Sequence, residues 1–207
     1  MITDWQDRAL IELSPDEARK VLADVNPEFA PFPMGEDARI SRRALPFYEK
    51  MSLYAFTDFS TIPPLTKYAL YQPGTAIAID WTNDAIFDAN DAAPLRLDPA
   101  NVSDYAHFFF SLVRGEQGLI RIVETLDDIP FTQTPKPAEM TALAKFIHPL
   151  RLEPYGGTGP FRLHATFIFQ SDLFSATMEI SPDGALGMTD EKLLIEDMPA
   201  QAEILLR

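Results

Sequence analysis

The run from Phe161 to Ile180 constrains the fold more than any other part of the chain. Apolar side chains recur there at every second position, the period of a strand buried on one face. With a two-residue turn at Ser171-Asp172, Phe169 faces Phe174, Phe167 faces Ala176, Ala165 faces Met178 and Leu163 faces Ile180. On the other face Thr166 meets Thr177 and His164 meets Glu179. A slip of one residue would set Leu163 against Glu179 and mix the two faces, so the pattern selects an antiparallel hairpin.

Three helices are signalled elsewhere. Ser14-Pro15-Asp16-Glu17 carries a capping box and a proline suited to the first helical position, and Pro27 stops that helix. Asp98-Pro99 opens a second, over 99–113, with Tyr105, Phe109 and Leu112 on a broad apolar face and Gly115 after it. Met140, Leu143, Ala144 and Ile147 mark a third. Between them lie a Pro-rich connector at 27–37, a strand near Leu53–Phe56, and a hairpin over 65–81. Pro73-Gly74 favours a type II turn there, and the loop is expected to exceed two residues. Leu119–Val123, the region near Leu186 and Leu193–Ile195 read as further short strands.

Helices and strands do not alternate regularly, which disfavours a doubly wound parallel sheet. The expected class is α+β: a mostly antiparallel sheet with about three helices packed on one face. A helical arm and connector over 1–44 precede a main body over 45–207, unless the whole forms a single domain.

The chain of 207 residues holds 17 Lys and Arg against 31 Asp and Glu, a formal net charge of -14. That balance repels phosphate backbones, so no nucleic acid is expected as partner; Arg39, Arg42 and Arg43 are the one basic cluster. Two windows, 68–113 at net -5 and 171–206 at net -7, hold most of the excess acid and suit a basic protein partner. Cysteine is absent, which removes disulfides, thiolate metal sites and cysteine nucleophiles and fits a reducing cytoplasm. Asp4, Asp7 and Glu12 interrupt the N-terminal stretch, which does not read as a signal peptide. Apolar runs are too short for a membrane helix. A soluble cytoplasmic protein without membrane contact is expected.

Chemical motifs are sparse. Tyr155-Gly-Gly-Thr-Gly-Pro160 lacks the lysine and following helix of a phosphate loop, and no dinucleotide fingerprint occurs, so no cofactor is expected. Asp80, Asp84, Asp88 and Asp91 lack calcium-loop spacing, and His107, His148 and His164 form no zinc pattern, so no metal is expected either. His148 precedes Pro149 at a helix end, and His107 falls inside the aromatic helix. His164 and Glu179 are the catalytic candidates, because a carboxylate beside an imidazole can orient it for proton transfer. The same two residues also make an ordinary polar cross-strand pair.

Two functional classes follow. One is a non-catalytic protein-interaction or self-assembly domain with a basic partner or a second copy of itself. The other is a small-molecule-binding protein or enzyme whose pocket lies between the sheet and helix 99–113.

Overall fold

The computed structural model describes residues 10–115 and 118–200; the first nine residues, on which the reading of the N-terminal stretch partly rested, lie outside them. The class is α+β, with antiparallel strands arranged in two sheets rather than one and four α-helices among the described residues. The chain gathers into two compact units that divide between Arg96 and Leu97. Among the described residues, no helix is long and apolar enough to cross a membrane.

In the first unit, α1 (Pro15–Val25) starts as its capping box dictates, with the Ser14 N–H donating to Glu17 Oε2 at 3.1 Å. A 3-10 turn over Asn26–Phe29 follows. Of the connector's two aromatics only Phe29 packs, and Phe32 stays exposed.

Five strands then run side by side in chain order: β1 (Ile11–Glu12), β2 (Arg39–Ala44), β3 (Ser52–Asp58), β4 (Leu65–Gln72) and β5 (Thr75–Ala78). β2 is not signalled by its sequence, because Arg-Ile-Ser-Arg-Arg-Ala buries only Ile40 among its large side chains. It pairs with β3 along its whole length. The β4–β5 loop has just two residues, Pro73-Gly74, since Gln72 pairs with Thr75. Gly74 takes φ +88, the left-handed value that position i+2 of a type II turn requires, so the turn closes at the length thought too short for it. Val21, Leu22 and Val25 of α1 pack with Phe29 onto Ile40, Tyr54, Phe56 and Tyr71. α2 (Asp84–Ala92) buries Ala85, Ile86 and Ala89.

In the second unit, α3 (Val102–Leu112) begins three residues later than its sequence suggests. Asp98 Oδ1 accepts the N–H groups of Ala100 and Asn101, which makes a turn ahead of the helix instead of a cap on it. α4 is Pro137–Leu143.

The sheet is built on β8 (Phe161–Phe169) and β9 (Asp172–Ile180). β10 (Leu186–Ile195) flanks β9, and β6 (Ile120–Val123) and β7 (Arg151–Leu152) share the opposite edge of β8. The two short strands expected near Leu186 and at Leu193–Ile195 are one strand, broken in register between Thr189 and Lys192 and again between Leu193 and Ile195.

The hairpin departs from the expected pairing by two residues. Phe167 faces Phe174, Leu163 faces Met178, His164 faces Thr177 and Arg162 faces Glu179. The turn is Gln170-Ser171, with Gln170 at φ +56, and Asp172 already belongs to β9. A shift of two preserves the face on which every side chain falls. Leu163, Ala165, Phe167, Ala176, Met178 and Ile180 therefore share one buried face, as expected. α3 packs on that face, with Phe110 and Phe167 ring centroids 5.3 Å apart.

Candidate functional site

The other face of β8–β9 is divided along its length. Near the turn, Ile168 and Leu173 pack with Val123, Ile129, Leu143, Ile147 and Met198 into a second small core. Toward the open end the side chains become polar: Thr166 beside Ser175, and His164 beside Thr177. The segment after α4 crosses between these halves, and the Phe146 carbonyl accepts a hydrogen bond from Thr166 Oγ1 at 3.2 Å. Beyond that crossing lies a groove of about 920 Å³. His164, Thr166, Ser175 and Thr177 form its floor, residues 145–151 one wall, and β10 the other. It opens on the side of the sheet away from α3, whereas the pocket anticipated from sequence would have lain against that helix.

Each wall is placed by strand geometry. Arg151 reaches the groove because it pairs with His164 and so shares its face. Lys192 pairs with Ser175, and the bulge between Thr189 and Lys192 restores that alignment, with Asp190 at φ +53 inside it. Lys145 and His148 come from the crossing segment; His148 stands five residues past the end of α4, not at a helix terminus.

His164 has two partners. Its Nε2 lies 2.6 Å from Glu153 Oε1, and its Nδ1 lies 3.1 Å from Thr177 Oγ1. Glu179, expected opposite it, instead faces Arg162, whose Nε is 3.4 Å from Glu179 Oε1 and 3.8 Å from Glu153 Oε2. Arg162 also reaches Asp190 Oδ2 at 3.7 Å. One guanidinium thus gathers three carboxylates beside the groove and leaves Glu153 held between Arg162 and His164.

Glu153 was not a candidate from sequence. It sits in irregular chain after β7, eleven residues before His164, where no periodic pattern points. The structure places it through the Glu153 N–H, which donates to the Arg162 carbonyl at 2.8 Å, continues the β7 ladder and sets the carboxylate next to the histidine.

A second His–Glu pair lies apart from the groove floor. His107 Nε2 of α3 is 3.3 Å from Glu124 Oε2, just after β6, and both side chains are largely buried. The two atoms are close, but His107 Nε2 has no aligned acceptor among the described residues. Burial by itself would push the Glu124 carboxyl up. The His107 imidazole and the Leu150 N–H, which donates to Glu124 Oε1 at 2.8 Å, outweigh it and hold the group below its ordinary value.

The four aspartates of 80–91 stay in the first unit, on and just before α2. Among the described residues no group of three or more His, Asp or Glu could hold a metal ion. No family model matches the chain, and neither a curated protein nor a solved structure matches it.

Proposed function

We propose that the second unit binds a small anionic molecule in the groove on the outward face of β8–β9. The observation that carries this reading is where the charges lie. Between residues 97 and 200 the sequence holds seven Lys and Arg against fifteen Asp and Glu, yet Lys145, Arg151 and Lys192 line the groove and Asp190 is its one acidic lining residue among those described. His148 and His164 add two groups able to become cationic. A concave surface of net positive charge in an otherwise acidic protein concentrates ligands of the opposite sign, and low salt strengthens the effect. The floor supplies the hydroxyls of Ser175 and Thr177, suited to orienting the oxygens of a carboxylate or phosphate, while Thr166 donates to the Phe146 carbonyl.

Titration of isotope-labelled protein with inorganic phosphate, citrate and glucose tests it. The two anions should shift the amide resonances of His164, Thr166, Ser175 and Thr177, and glucose should not. A Lys145→Glu/Lys192→Glu protein should bind citrate about tenfold more weakly, since each exposed charge contributes up to about 1 kcal/mol. Equal response to glucose and citrate, or an unchanged affinity in the double variant, would overturn the reading.

A second reading, protein interaction or self-assembly, is favoured by the first unit. Phe59, Ile62 and Leu65 cluster around the β3–β4 turn and are exposed, Ile62 completely. Phe32 is exposed as well, and its carbonyl accepts a hydrogen bond from Lys67 of β4. Apolar surface of this kind marks association sites. Light scattering over a concentration series should show association that Ile62→Asp abolishes; a monomer at every concentration removes self-assembly and leaves only a foreign partner.

A further inference from the structure

We infer that the groove takes up its anion together with a proton: Thr177 offers a hydrogen bond to the ligand only when His164 is protonated. The inference rests on the anion-binding reading above and deepens it.

It starts from hydrogen-bond bookkeeping around one ring. Glu153, paired with Arg162, is an ionised carboxylate and can only accept. At 2.6 Å from Glu153 Oε1, Nε2 of His164 must therefore carry a hydrogen. In the neutral ring the other nitrogen, Nδ1, is then bare and can only accept. Thr177 Oγ1, 3.1 Å away, has to donate its single proton to it. Thr177 lines the groove although only 3% exposed, so in this state it shows a ligand nothing but oxygen lone pairs. An anion meeting that oxygen is repelled by it.

Protonation of His164 reverses the chain of donors. Nδ1 acquires a hydrogen and donates to Thr177 Oγ1, and the hydroxyl proton becomes free to turn toward the groove. The imidazolium also adds a positive charge beneath the ligand, while Glu153 continues to accept from Nε2. The two effects act together, so an anion favours the protonated ring and the protonated ring favours an anion. Thermodynamic linkage makes that preference reciprocal.

The groups facing His164 are known from every side. β7 brings Arg151, the segment after it Glu153, and β8 itself Arg162. β9 contributes Thr177 and Glu179, β10 contributes Asp190 and Lys192, and the crossing segment contributes Lys145 and His148. Of these, Glu153 and Thr177 hydrogen-bond the ring, and of these two Thr177 lines the groove. Thr177 thus carries the hydrogen-bonding part of the coupling between proton and ligand, beside the direct effect of the ring charge.

Sulfate is a suitable probe, because it stays a dianion through the range in which histidine titrates and any proton taken up belongs to the protein. With three histidines in the chain, nitrogen–proton correlation spectra can follow each ring separately. Without sulfate, the neutral His164 ring should carry its hydrogen on Nε2. Saturating sulfate should raise the His164 titration midpoint, and sulfate should bind about tenfold more tightly near pH 5.5 than near pH 8.5. Thr177→Ser keeps the hydroxyl and should keep the sulfate-induced shift of His164; Thr177→Val should lose the hydroxyl's part of it and show a clearly smaller shift while His164 still titrates. A neutral ring protonated on Nδ1 overturns the inference in the wild-type protein alone, whatever the variants do. Sulfate binding that leaves the His164 midpoint unmoved, or a full shift in Thr177→Val, also overturns it and spares the anion-binding reading. No sulfate binding at any pH overturns both.

Discussion

The described residues of the second unit contain two His–Glu pairs, and the shorter contact is the more exposed one. His164 and Glu153 approach to 2.6 Å with side chains 39% and 33% exposed. His107 and Glu124 stand 3.3 Å apart with 7% and 15% exposed. Water around the first pair screens its attraction and can solvate either member if the other is removed. Nothing comparable is available to the second, where removing one partner strands the other away from water. Surroundings, more than distance, decide what each pair contributes. The buried pair belongs to the packing between α3 and the end of β6, and the half-exposed pair stands at the edge of a groove.

The largest expected effect sets the scale for the buried side of the sheet. Phe167 is fully buried between Phe110 and Phe174, and Phe167→Ala should cost about 3–5 kcal/mol in urea denaturation. A loss below about 1 kcal/mol would mean that the α3-facing side is not the dominant core.

His107→Ala comes next, at about 3 kcal/mol, because it removes a buried side chain and leaves Glu124, among the described residues, with the Leu150 N–H alone. If His107→Ala and His164→Ala cost the same, burial is not what separates the two pairs.

Acid sharpens the contrast further. The folded protein holds the Glu124 carboxyl below its ordinary value of 4.5, so unfolding must raise its affinity for protons. The stabilisation is present above the unfolded value and is lost as pH falls through the folded one. Stability measured by urea should therefore decline on acidification below about pH 4.5, and Glu124→Gln should flatten that decline. A decline of unchanged steepness in the variant would assign the acid sensitivity to other carboxylates.

The smallest stability effect belongs to His164→Ala, below about 1 kcal/mol, since its partners are solvated or satisfied elsewhere. Loss of anion binding with little loss of stability would make the pair a ligand device. A cost as large as that of His107→Ala would make it a structural one.

The hairpin shows how far strand periodicity reaches. The faces of the residues from Leu163 to Phe167 and from Ala176 to Ile180 were legible, because alternation with period two distinguishes the faces and burial enforces them. The pairing partner was not, since a shift of two leaves every face unchanged. Ser171-Asp172 has good turn chemistry, but both residues are drawn into contacts from far along the chain. The Ser171 carbonyl accepts the Met198 N–H at 2.8 Å, and Asp172 Oδ1 accepts the Asp197 N–H at 3.0 Å. The turn moves back to Gln170-Ser171, and His164 moves from Glu179 to Thr177.

The sequence by itself determined the α+β class, the cap and start of α1, the apolar face of the hairpin and the acidity of the chain. These depend on local geometry or on composition, and each residue carries its share of the signal without reference to distant ones. Tertiary structure alone decided the division of strands into two sheets, the recruitment of arginine-rich β2, and the site. Lys145, Arg151, Glu153, His164, Thr177 and Lys192 come from five separate stretches of chain. Their proximity depends on β7 docking beside β6 on one edge of β8, on a bulge in β10, and on the crossing of residues 145–151 over Thr166. None of these has a local cause: a charged side chain in a solvated stretch carries the same local pattern whether it faces open water or the wall of a groove.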